Sequence, residues 1–80
     1  MSDSITGYVI KSRSSHYLSR DFIWYHGEPE QAYVFTVFQF KAILELCDNW
    51  KFKPDSLIPA VYENGWVNIT GSEISVSDFH

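Results

Sequence analysis

Cysteine is almost missing from this chain, which holds one in 80 residues, Cys47. A lone thiol cannot close an internal disulfide, so the fold must stand on packing. Lysine and arginine are scarce too, six against ten aspartates and glutamates, for a net charge of −4. Affinity for a phosphate backbone grows with the number of cations laid along it. A general binder of nucleic acid or anionic membrane is therefore disfavoured. No apolar run approaches the roughly 18 residues of a membrane-crossing helix, and no hydrophobic leader follows Met1-Ser2-Asp3-Ser4. The expectation is a cytoplasmic protein, in which the Asn68-Ile69-Thr70 sequon has no chemical consequence.

Motifs that carry chemistry are absent as well. None of the three histidines, His16, His26 and His80, has a partner at metal-ligand spacing, and there is no C-x-x-C or H-E-x-x-H. Nucleophile-elbow, phosphate-loop and dinucleotide glycine patterns are missing too. Glu28 with Glu30, and Glu45 with Asp48, are close pairs of carboxylates, but neither has a reason to be buried. Without burial nothing shifts their pKa values toward general acid work. His26, beside Gly27 and Glu28, reads as a turn residue. The chain is expected to hold no metal or cofactor and to catalyse nothing.

What is present in quantity is aromatic: six Phe, five Tyr and three Trp. A chain of this length buries only about 60% of its unfolded surface, so large rings compensate for a small core. More rings are available than such a core needs, which places some of them at a surface or interface. The length allows one domain, residues 1–80, with 1–4 expected to fray.

One segment predicts a helix, over about 37–49. Thr36 and Gln39 have capping-box spacing, and Phe35 and Phe40 flank that cap at the positions of a hydrophobic staple. Apolar residues then recur at Phe40, Ile43, Leu44 and Cys47, a buried stripe with Val37 and Trp50 at its flanks. Lys41, Glu45 and Asp48 fall opposite. Cys47, on the stripe with Asp48 as its nearest charge, reads as an inert core thiol. Asn49 suits a left-handed cap and Pro54 ends any continuation. Phe38 breaks the pattern by projecting into the polar sector. It either folds back under a neighbouring segment or, with Ala42 and Leu46 at i+4 and i+8, forms a contact for a partner.

The flanks read as short strands. Ile5–Lys11, His16–Ser19 and Phe22–Tyr25 make an N-terminal meander, turned at Ser12–Ser15 and Arg20-Asp21. Pro29–Ala32 suits one helical turn, and Tyr33–Phe35 a brief strand feeding the helix. Leu57–Glu63 is a strand whose Pro59 lacks a ladder donor, pointing to an edge or a bulge, and a fragile edge could pair with another chain. Asn64-Gly65 fits a type I′ turn leading into Trp66–Ile69, and Glu73–Ser77 alternates as a last strand with Ile74 and Val76 on one face. The fold class is α+β: about six short antiparallel strands, as an open sheet or half-barrel, packed on one central helix.

The residues Tyr8-Val9-Ile10-Lys11, Tyr17-Leu18, Trp24, Ala32-Tyr33-Val34-Phe35-Thr36 and Ala42-Ile43-Leu44 resemble a small domain of uncharacterised bacterial and phage proteins. The resemblance spans about 7–44 and rests on packing and capping residues. It implies a β-meander feeding a helix and carries no activity.

The functional expectation is an interaction or accessory module with a protein partner or a second copy, a homodimer being one form. Its surface would be Phe38, Ala42 and Leu46, with Trp66 as a second anchor unless that ring packs across to Tyr62. The alternative is nucleic-acid or small-ligand binding on the N-terminal sheet. That would need Lys11, Arg13 and Arg20 to converge beside Tyr17 and Trp24 as a small stacking platform.

Overall fold

The computed structural model describes residues 4–51 and 53–78; the expected fraying of residues 1–3, Phe52 between its lysines, and His80 lie outside the described residues. Strands β1 (Ile5–Ser12), β2 (His16–Leu18) and β3 (Trp24–His26) precede the helix α1 (Val37–Leu46), and β4 (Pro54–Glu63), β5 (Trp66–Ile69) and β6 (Ile74–Ser75) follow it. All pairings are antiparallel, in the order β3-β2-β1-β4-β5, with β6 also on β4.

Alternation along β1 explains how the chain is layered. Val9 and Ile10 point to opposite faces, yet both are fully buried, so the sheet must be covered on both sides. One face gathers Val9, Tyr17, Ile58, Ala60 and Val67 under Ala32 and Val34. The other gathers Ile10, Leu18 and Leu57 under Phe35, Phe40 and Ile43. Val34 and Phe35 are consecutive but belong to different clusters, because this segment crosses the edge of β1. There Phe35 and Tyr8 exchange two backbone hydrogen bonds of 2.8 Å. Gly7 makes the crossing possible: a Cβ at this position would overlap the Phe35 carbonyl.

The helix begins where its cap dictates. The Thr36 hydroxyl accepts from the Gln39 N–H at 3.2 Å, and the Gln39 side chain accepts from the Thr36 N–H at 2.8 Å. Its regular part stops at Leu46, and Cys47–Asn49 tighten into a 3₁₀ turn, so the expected helix is two pieces. The stripe is also narrower than the periodicity suggests. Phe40 and Ile43 are buried, and Cys47 donates its thiol to the Leu44 carbonyl at 3.5 Å, but Leu44 is 37% exposed. At about 100° per residue Leu44 lies on the side of Phe40 away from Ile43, past the apolar width that Ile10, Leu18 and Leu57 offer.

The hairpin tips differ from expectation in one respect. Phe22 is not in a strand. It sits at φ 62°, its N–H bonding the Ser19 carbonyl at 3.0 Å while the Ser19 N–H bonds Ile23 at 3.0 Å. This is a turn closed by a one-residue bulge, and it moves the third strand to Trp24–His26. Asn64 and Gly65 take φ of 54° and 81°, as a type I′ turn requires. Of 33–35 only Phe35 bridges, and Glu73–Ser77 yields a two-residue strand followed by a 3₁₀ turn, Val76–Asp78.

Pro59 does not mark an edge. Strand β4 lies inside the sheet, with β1 on one side and both β5 and β6 on the other. Tyr8, opposite Pro59, directs its backbone groups away toward Phe35, so Pro59 faces the β5 side, where its carbonyl accepts from Thr70 at 2.9 Å. The missing N–H is the one that would have donated back to Thr70, so the β4–β5 ladder ends after the Ala60–Ile69 pair. The pairing of that strand with another chain is thereby removed.

Ser56 is the one polar side chain among the described residues that is buried with its Oγ unpartnered. A desolvated hydroxyl without a hydrogen bond costs roughly 1–3 kcal/mol. Ser56→Ala is expected to be neutral or to stabilise by up to about 1 kcal/mol. The midpoint of urea unfolding checks the sign.

Candidate functional site

The helix presents two unequal faces. Phe40 and Ile43 point into the sheet, while Phe38 is 79% exposed, Ala42 is exposed and Leu46 is 62% exposed. Spacing of four residues sets these three in one row on the solvent side. Phe38 therefore does not fold back under a neighbour. It stands at the mouth of a cleft of about 470 Å³ with Tyr8, Thr36, Pro59 and Thr70 along its walls.

Trp66 is 73% exposed, and the register shows why it cannot pack on Tyr62. Tyr62 is opposite Val67 and Trp66 opposite Glu63, so the two rings project from opposite faces of the sheet. Trp66 is a separate exposed anchor outside the helix row.

The cationic platform of the alternative reading is not assembled among the described residues. Lys11 is engaged by Glu73 at 2.8 Å, a hydrogen bond that holds its ammonium pKa above the ordinary lysine value. Tyr17 is buried in the far-face core. Arg20 is turned to a different cleft, beside Ile5, Tyr33 and Tyr62. Trp24 is on the helix side of the sheet with Trp50. Lys11 and Tyr17 are cross-strand partners on one face, but Arg13 and Arg20 line different clefts and Trp24 projects from the opposite face, because successive strand residues alternate sides.

Tertiary structure makes two other groupings. Arg13 shares a cleft of about 490 Å³ with Ser12, Ser14, Lys51, Lys53 and Asp55. Phe22, Trp24, Leu46, Trp50 and Lys51 line a second, apolar cleft of about 460 Å³. Lys51 belongs to both. Sequence reading missed the pairing because the members come from the first hairpin and from the chain after the helix. The clue at hand was the Trp50–Lys53 cluster of two rings and two cations.

The remaining candidates are plain surface or plain core. Glu28, Glu30, Glu45 and Asp48 are all exposed. His16 and His26 meet across β2 and β3, edge to face at 5.5 Å. Cys47 is buried and unpaired. Among the described residues no group of three or more His, Cys, Asp or Glu side chains is placed to hold a metal ion, and no helix is long and apolar enough to cross a membrane. In comparisons with protein-family models, curated proteins and solved structures, nothing matches this chain.

Proposed function

We propose that this protein is an interaction module that docks another protein surface, a second copy of itself included, through the outer face of the helix. The observation that supports this is the row Phe38, Ala42, Leu46, exposed on a helix whose opposite side already seals the core. A large ring held in water by a capped, rigid helix is a costly arrangement for a surface with no partner, and aromatic anchors are enriched where binding energy concentrates. The role needs no cofactor and no chemistry from the side chains. Trp66 provides a second contact point on the β5 side.

Light scattering across a concentration series tests self-association first. The expected result is a mass that rises with concentration, and Phe38→Glu should weaken association by about 30-fold or more, the equivalent of losing a 2 kcal/mol anchor. A mass fixed at one chain leaves a different protein as the partner. Capture from the source cells must then be lost in Phe38→Glu and Leu46→Glu. If both variants capture what the parent chain captures, the helix face is not the site.

A further inference from the structure

The two clefts that share Lys51 carry an inference whose only residue in common with the helix row is Leu46. The geometry points to a site for a nucleotide unit, its base lodged among Phe22, Trp24 and Trp50 and its phosphate held by Arg13, Lys51 and Lys53.

Three observations support it. First, half of the six cations in an acidic chain line one cleft, with Asp55 as the only acid there. Among the described residues neither Arg13 nor Lys53 is ion-paired. The hydroxyls of Ser12 and Ser14, 3.2 Å apart, lie on the same wall but are engaged with each other and with His16, so the cations are the ligand-facing donors. Guanidinium and ammonium donors are the groups that recognise phosphate oxygens.

Second, the adjoining cleft is walled by three aromatic rings in contact with one another. Trp24 and Trp50 meet at 83° with centroids 6.4 Å apart, and Phe22 lies 6.1 Å from Trp50 at 44°. A flat base stacks on such faces whatever its identity, at about 1–3 kcal/mol per base. Lys51 links the ring wall to the cationic wall, which is the arrangement a base joined to a phosphate requires.

Third, Phe22 is held where its side chain is unfavourable. Its φ of 62° is a left-handed position that glycine or asparagine fills without strain and that costs a bulky residue about 1–2 kcal/mol. Its ring stacks over Phe35 at 6.2 Å and still leaves Phe22 half exposed at the cleft. Backbone strain that keeps a ring at a surface is a mark of binding sites. An acidic peptide would satisfy the cations but occupies the ring wall only if it also carries an aromatic side chain.

Tryptophan fluorescence and the indole N–H signals in NMR test the site, with adenosine monophosphate, adenosine, inorganic phosphate and a short single-stranded oligoadenylate as probes. Binding should be saturable and should move Trp24 and Trp50 but not Trp66, which lies outside both clefts. Adenosine should bind at least about 10-fold more weakly than its monophosphate, one charge-assisted phosphate contact being worth on the order of 1.5 kcal/mol. Oligoadenylate binding should weaken about 20-fold from 50 to 200 mM salt, a log–log slope of about −2 for three contacts to a single strand. The double change Arg13→Gln, Lys53→Gln should reduce that slope to about −0.7. A response to the monophosphate marks a free-nucleotide site, and a response to the oligomer alone marks a single-strand site. The proposal fails if no probe saturates at low salt. It fails equally if Trp66 shifts with the others, if the double variant keeps the full slope, or if polyglutamate displaces the oligomer at equal charge. Phe38→Glu serves as the control: it should leave nucleotide binding unchanged while removing association through the helix.

Discussion

Replacing Gly7 with alanine is expected to destabilise the protein by about 3–5 kcal/mol, against the usual direction for such a change. In an ordinary strand position Gly→Ala removes unfolded-state entropy and stabilises by about 0.4–1 kcal/mol. Here the new methyl would overlap the Phe35 carbonyl and come within 3.2 Å of a Val34 methyl. The first obstacle is backbone and cannot rotate away. Relief requires pushing residues 34–35 off the edge of β1. That endangers the two Tyr8–Phe35 hydrogen bonds, worth about 1 kcal/mol each, and adds overpacking of about 1–3 kcal/mol. Thermal unfolding followed by circular dichroism reads the effect. A change near zero would mean that the strand edge and the crossing segment are not in contact.

Phe40→Ala is expected to have an effect of similar size, about 3–5 kcal/mol, through a cavity rather than a clash. Phe40 is fully buried between Phe35 and the Ile10–Leu57 pair and supplies the helix half of the staple. For a domain of this size each kcal/mol moves the melting temperature by about 4–8 °C, so the variant should sit near the limit of folding at ordinary temperatures. Phe38→Ala, two residues earlier on the exposed face, should change stability by no more than about 0.5 kcal/mol. Chemical denaturation of the two variants side by side separates the faces. Equal losses would contradict the assignment of one ring to the core and the other to solvent.

Both results depend on features that differ in how far local residues reveal them. The cap at Thr36, the staple pair and the Asn64-Gly65 turn are short-range devices whose hydrogen bonds and φ angles involve neighbours in the chain, so residue identity was enough to find them. The first hairpin tip was harder. Its bulge places Phe22 at a conformation that the residue itself does not favour, and packing against Phe35 and Trp50 overrides the local preference. The edge reading of Pro59 had the right premise, a missing donor. Which side of the strand that donor would have faced depends on the register with Tyr8, a partner 51 positions away.

That Phe38, Ala42 and Leu46 form one row was legible because a helix fixes angles between its own residues. The exposure of that row, against a fold-back of Phe38 under a neighbour, was decided by the tertiary packing. The clefts were not legible in the same way. A platform of Lys11, Arg13, Tyr17, Arg20 and Trp24 needed side chains from three strands and their turns to converge on one face. Strand alternation sends Tyr17 and Trp24 to opposite sides, and Glu73 takes Lys11 from a distant part of the chain.

The sequence by itself determined the α+β composition, the start of the helix and the tight turn of the second hairpin. Each follows from forces acting within a few residues. Tertiary structure decided the rest: the strand order, the burial of β1 on both faces, the crossing over Gly7, and the meeting of Arg13 with Lys51 and Lys53 beside three aromatic rings. Those depend on which distant segments compete best for the same apolar surface and the same open hydrogen-bonding edge, a choice that local preferences do not encode.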